Sequence, residues 1–292
     1  MEQNVEAALA ADDQRKRPSA NPLLLSMLAS LNDAVVYTPG SGNIQTNARL
    51  WNSYSESYDA KPEWLQTMAS QVGMEADLQC LGDEWAPREH TLEVIREFIL
   101  PYLQEGCVVG EIGVGGGRIA REVLGHGRVR ELHCFDVSQA MLTRAQGLLR
   151  QHSAAATTAL SFHLVDAGNQ RLRPTDDDDG AGDGGFFDFI YSFDVFPHVE
   201  LHVIHKYLIE MRRTLKPGAR GCFSTSDVTS PGGFARFQAQ AHGTVGGFVW
   251  TSPEAVLFLV EKAGLAVVTV GARRADNTYL NRDLVVVVER RA

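Results

Sequence analysis

From Cys107 to the C-terminus, short apolar runs alternate with helical patterns, and that alternation leaves few folds open. "CVVGEIG" reads as a buried strand and "GRIAREVLG" as a helix. "RELHCFDV" is a second strand and "SQAMLTRAQGLLRQH" a second helix, with Ser138 placed to cap it. "LSFHLVD" and "FFDFIYSFD" follow as strands. Leu201, Ile204, Leu208, Met211 and Leu215 then recur at helical spacing, up to a stop at "KPG". "ARGCFSTSD" is a fifth strand, and "SPEAVLFLVEKAG" a helix with Ser252 and Pro253 at its start. Finally "LAVVTVGA" and "DLVVVVER" flank "RRADNTYLNR", a connection with no room for a helix, so these strands should be antiparallel. The expected fold is α/β, a doubly wound and mostly parallel sheet with helices on both faces, closed by a reversed strand.

Before Cys107 the pattern is helical and punctuated. Leu92, Ile95 and Ile99 share a helical spacing stopped by Pro101. The expected organisation is a mobile polar tail at 1–20, a helical cap at 21–88 and the sheet domain at 89–292. With 44% hydrophobic and 22% charged residues, the chain can bury a globular core. No apolar stretch approaches the roughly 18–20 residues of a membrane span, and the polar start lacks a secretory layout, so the expected location is cytoplasmic, with no membrane partner. A net charge of −9 argues against nucleic acid as a partner. Cys80, Cys107, Cys134 and Cys222 form no CxxC pair and read as buried thiols. The aspartates of "TDDDDGAGDGG" read as a solvated loop, and no metal is expected, because adjacent carboxylates on a flexible loop do not converge.

The chemistry starts at the end of the first strand. Gly113, Gly115 and Gly117 form a GxGxG turn, where an open parallel sheet binds its ligands. Arg118 stands where a dinucleotide turn would have its third glycine, and Glu111 would repel a pyrophosphate. That carboxylate suits a ligand with a positive centre. Asp136 and Asp166 close the second and third strands, where carboxylates accept hydrogen bonds from ribose hydroxyls or an adenine amino group.

With these motifs in place, "VVGEIGVGGGR", "HCFDVS", "HLVDA", "FDFIYSFDVFPHV" and "RTLKPGARG" together resemble the class I S-adenosylmethionine-dependent methyltransferases, over roughly Glu89 to Arg290. The resemblance implies a seven-stranded Rossmann-like sheet with the last strand antiparallel. It implies Glu111 and the Gly113–Gly117 loop around the methionine part of S-adenosylmethionine, Asp136 with Val137 at the ribose, and Asp166 with Ala167 near the adenine. Ser192 to Asp194 would face the methionine moiety and the acceptor, and Trp85 would pack on the methionine end.

His198 is the candidate general base, or else bonds a loop carbonyl; Asp194 either contacts cofactor and acceptor or organises its loop. Trp51, Tyr54 and Tyr58 fall on one helix face, as packing or as a lid over the acceptor. Asp227 and Arg236 lie in "TSDVTSPGGFARFQ", a candidate pocket wall whose Pro-Gly-Gly suggests mobility; Arg88 and Arg236 read as surface arginines or, if the acceptor has a carboxylate, as its partners. The leading expectation is methylation of a nitrogen, oxygen or sulfur atom of a small metabolite. The alternatives are a nicotinamide-dependent oxidoreductase and a non-catalytic S-adenosylmethionine-binding protein.

Overall fold

In the computed structural model, residues 43–60, 63–71, 80–166, 170–172, 184–240 and 247–291 are described. The expected N-terminal tail, Ala167 and the aspartate run lie outside them. All described residues belong to one compact unit, Thr38–Ala292.

The strands are β1 Cys107–Ile112, β2 Val129–Asp136, β3 Ala159–Leu164, β4 Phe187–Ser192, β5 Leu215–Ser226, β6 Leu265–Val270 and β7 Asp283–Arg290. They form one seven-stranded sheet in the order β3-β2-β1-β4-β5-β7-β6. The first five pair in parallel, and β7 runs antiparallel to both β5 and β6. Strand order reverses between β1 and β4, so the crevice beyond their carboxyl ends is the natural ligand position.

Two cores flank the sheet because side chains alternate along each strand. Val109, Leu132, Phe189, Val285 and Val287 face α3 (Arg88–Phe98), α4 (Arg118–Leu124) and α5 (Gln139–Arg150). Val108, Ile112, Ile190, Phe223, Val286 and Val288 face α6 (Leu201–Thr214) and α8 (Pro253–Lys262). On α6 the periodic set Val203, Ile204, Tyr207, Leu208 and Met211 is buried. Burying each such side chain contributes roughly 1.5–3 kcal/mol. A smaller third cluster holds Tyr54 and Tyr58 of α1 (Ile44–Tyr58), Leu65 of α2 (Glu63–Gln71), Leu81 and Met141, with Trp51 and Trp85 against it. All four cysteines are free and buried.

Three details differ from the sequence expectation. Helix α6 ends at Thr214, and "KPG" lies inside a β5 that starts at Leu215, with Gly218 at φ +76° and an irregular register opposite β4. "PGGFARFQA" forms α7 (Pro231–Ala239). Ser230 accepts from the Gly233 N–H, and a Cβ on Gly233 would sit 1.9 Å from the Asp227 carbonyl oxygen, so the glycine serves close approach. The β6–β7 connection, expected to hold no helix, contains α9 (Thr278–Arg282). A single side chain makes so short a helix possible. Asn277, fully buried, accepts from the N–H groups of Tyr279 and Leu280 and donates to the His90 carbonyl and Glu93. Asn277→Ala removes the cap and leaves buried N–H groups unpaired, so urea unfolding of the variant is expected to show a loss of about 2 kcal/mol.

Candidate active site

A cavity enclosing about 1060 Å³, its open mouth included, lies beyond the carboxyl ends of β1, β2 and β4. That is room for a nucleoside-sized cofactor and a second molecule. Its floor is the turn after β1. Gly113 and Val114 donate to the Phe135 carbonyl at 2.7 and 3.1 Å, tying the turn to the end of β2. Asp136 then takes the Gly115 N–H at 2.9 Å on one oxygen and the Ser138 N–H at 2.8 Å on the other. Gly113 and Gly115 have φ of +74° and +53°; a Cβ on Gly113 would strike Val195 at 2.4 Å, whereas one on Gly115 would meet nothing within 4 Å. The turn thus leaves an open cradle. Gly116 lines the cavity; Gly117 starts α4 and packs on Ala145 and Leu148 of α5.

Glu111 is 2% exposed, lines the cavity and accepts from the Tyr191 hydroxyl at 2.9 Å. Burial holds its carboxyl well above the usual carboxylate range, against that hydrogen bond. Burial also raises Asp136, to about 6, although the N–H groups of Ser138, Gly115 and Val137 favour its charged form. Each carboxylate oxygen has a second lone pair, so Asp136 can still accept from ligand hydroxyls. Val137 and Val165 line the cavity beside it. These carboxylates and the glycine cradle fit a ligand with a cationic end and a diol. No cluster able to hold a metal occurs among the described residues, and none of their helices is long and apolar enough to cross a membrane.

The other end is built where β4 stops. Phe193, Asp194, Val195 and His198 all line the cavity. Asp194 adopts φ +60°, a left-handed conformation that costs a non-glycine residue. It is held by a hydrogen bond to Ser224 and by ion pairs to Arg282 at 2.9 Å and Arg118 at 3.5 Å. His198 bonds the Gly247 carbonyl through Nδ1 at 3.0 Å. A carbonyl only accepts, so Nδ1 carries the proton and Nε2 keeps the lone pair. Trp51 and Phe248 each meet the His198 ring edge-on at 5.1 Å.

Helix α1 spans the cavity, which Ile44, Asn47 and Trp51 line. Its start is pinned to the β4 end, because Asn43 and Asn47 donate to the His198 carbonyl at 2.7 and 2.8 Å. Further along, Asn52 accepts from Ser138 and the Ala140 N–H, and Arg144 of α5 pairs with Asp59. Trp85 lines the cavity too.

Other sequence candidates lie elsewhere. Tyr54 donates to Glu84 and Tyr58 to the Cys80 carbonyl, and neither lines the cavity. Asp227 accepts from Thr229 and pairs with Arg273. Arg236 lies over the Phe248 ring, behind the cavity wall. Ser192 bonds the Ile112 carbonyl, and Val165 lines the cavity where Asp166 does not. Arg88 pairs with Glu122. Sequence reasoning missed Asn47, Phe248 and Arg282 and gave Arg118 no role in the site. Arg118 directly follows the glycine turn, the one signal that pointed to it.

Burial lowers the His198 imidazole to about 4. In the unfolded chain it takes a proton near the usual ~6.5. Between these values the unfolded chain binds more protons, so the stability contributed by His198 is complete above about 6.5 and lost as pH falls toward 4. Between pH 7 and pH 5 the wild type should lose about 2 kcal/mol more than His198→Gln, read by urea unfolding at both pH values.

Residues 111–220 match a family model described as a methyltransferase domain. No functionally curated protein matches the chain. Among solved structures, magnesium protoporphyrin IX methyltransferase from Synechocystis PCC 6803 with bound SAH superposes with a TM-score of 0.56 at 14% identity, over 84% of this chain and 100% of that one. An S-adenosylmethionine-dependent methyltransferase from Mesorhizobium loti gives 0.52 at 18% identity, over 69% and 98%. The cyclase SpnF gives 0.55 at 15% identity, over 82% and 96%. At such identities the superpositions establish the fold, and the family model adds the similarity of residues 111–220 to a methyltransferase domain.

Proposed function

We propose that the chain methylates a nitrogen, oxygen or sulfur atom of a small metabolite, using S-adenosylmethionine. The observation that carries this is a single cavity joining the buried acids and glycine cradle after β1 and β2 to His198 and Asp194 after β4. Glu111 would take the cofactor's amino group and Asp136 its ribose hydroxyls. Val137 and Val165 would flank the adenine, with Asp166 and Ala167 nearby, and Trp85 would cover the methionine end. When bound, the cofactor supplies an electrophilic methyl carbon on a sulfonium.

What this chain adds is alignment and dryness. Trp51 and α1 close over the acceptor and exclude water, and the loop after β4 holds the nucleophile in line. His198 presents Nε2, fixed by the Gly247 bond, to take a proton from an acceptor hydroxyl. The field of Asp194 favours the resulting imidazolium. A thioether or neutral amine needs no such base at the attack step.

The test is incubation with deuteriomethyl-labelled S-adenosylmethionine and a metabolite extract, read by mass spectrometry. A labelled small molecule is expected; none, from protein that binds S-adenosylhomocysteine, would defeat the reading. In calorimetric titrations Glu111→Gln should weaken S-adenosylhomocysteine about tenfold, the equivalent of ~1.4 kcal/mol, with His198→Ala within about twofold of wild type.

A further inference from the structure

Arg282 comes from α9, far in sequence from the cofactor motifs, yet it lines the cavity with its side chain 8% exposed. Its Nε and Nη2 are engaged, Nε with Asp283 at 2.8 Å and Nη2 with Asp283 at 2.6 Å and Asp194 at 2.9 Å. Its Nη1 has no protein partner among the described residues. A guanidinium nitrogen kept without a partner in a nearly buried wall is a donor pair awaiting an acceptor.

The charges around it agree. Arg282 and Arg236 both lie against the Phe248 ring, at 4.6 and 4.4 Å from its centroid, and Arg118 shares Asp194 with Arg282. Two of these guanidinium groups, Arg282 and Arg236, therefore crowd one ring, while the charge of Arg118 is opposed by Asp83 and Glu84 as well as by Asp194. Burial and the neighbouring Arg282 lower the Arg236 pKa, a crowding that an added anion would relieve.

The position favours the acceptor over the cofactor. Phe248 touches His198 on the cavity side and Trp250 beyond it, at 5.4 Å. Trp250 meets Phe237, and Phe237 stacks on Phe234; both phenylalanines are about half exposed. This run of rings leads outward from His198.

Resting on the methyltransferase reading above, we propose that the acceptor is a flat apolar molecule carrying a carboxylate, with that carboxylate on Nη1 of Arg282 and its body against Phe248 and Trp51. Arg236 reinforces the charge through the same ring.

The experiment uses the full chain saturated with S-adenosylhomocysteine, probed with benzoate and with its neutral counterpart benzamide by ligand-observed NMR. Benzoate should bind at least tenfold more tightly than benzamide. Arg282→Gln should erase the preference and Arg236→Gln reduce it about threefold, both with S-adenosylhomocysteine affinity kept. Equal binding of the two probes to wild type would overturn the proposal, and so would an unchanged preference in Arg236→Gln, a readout that stands if Arg282→Gln does not fold. Loss of S-adenosylhomocysteine affinity in Arg282→Gln would also overturn it, since the guanidinium would then serve the cofactor's own carboxylate. Failure of the wild type to bind S-adenosylhomocysteine would instead defeat the parent reading.

Discussion

Asp136 is the joint on which the rest of the site hangs. Its two carboxylate oxygens take the N–H groups of Gly115 and Ser138, so one side chain at the end of β2 fixes both the turn after β1 and the start of α5. Ser138, held there, caps α5 through the Met141 N–H and donates to Asn52 of α1. Sheet, glycine turn and overlying helix are thus registered through one buried acid. A buried carboxylate costs desolvation, and these N–H partners offset part of it.

The cavity has two electrical ends. At β1 and β2, Glu111 and Asp136 are desolvated acids whose pKa values are raised by burial, which a cationic ligand would draw back into their charged forms. Past β4, Arg282 and Arg118 pair with Asp194, Arg282 and Arg236 lie against one ring, and the wall there is aromatic. Between them stands His198, neutral through burial and fixed in one tautomer. Such a field suits a cationic group at the β1–β2 end and an anionic group beside Arg282.

The strand–helix alternation after Cys107 was legible because it rests on local periodicity, which the sheet and its helices retain. Of the three acids at strand ends, Glu111 and Asp136 line the cavity, being in short motifs whose geometry is set within a few residues, and Asp166 does not. The aromatic stripe Trp51, Tyr54, Tyr58 was read correctly as one helix face, but a face does not say what each tip meets. Trp51 reaches the cavity, while Tyr54 and Tyr58 turn to Glu84 and Cys80. Helix α9 was not legible, because five residues carry no period and its cap, Asn277, is satisfied by partners on α3 some 184 and 187 positions away.

The sequence by itself determined the sheet, its reversed last strand and the acidic glycine turn, for each depends on patterns within one or two turns of chain. Tertiary structure decided the cavity wall past β4. Arg282, Phe248, Asn47 and Arg118 meet only because the β6–β7 connection, the segment after α7, the N-terminal helix and the glycine turn converge on the end of β4. Contacts between segments so distant in sequence leave no periodic trace, since each residue is placed by the packing of a different element.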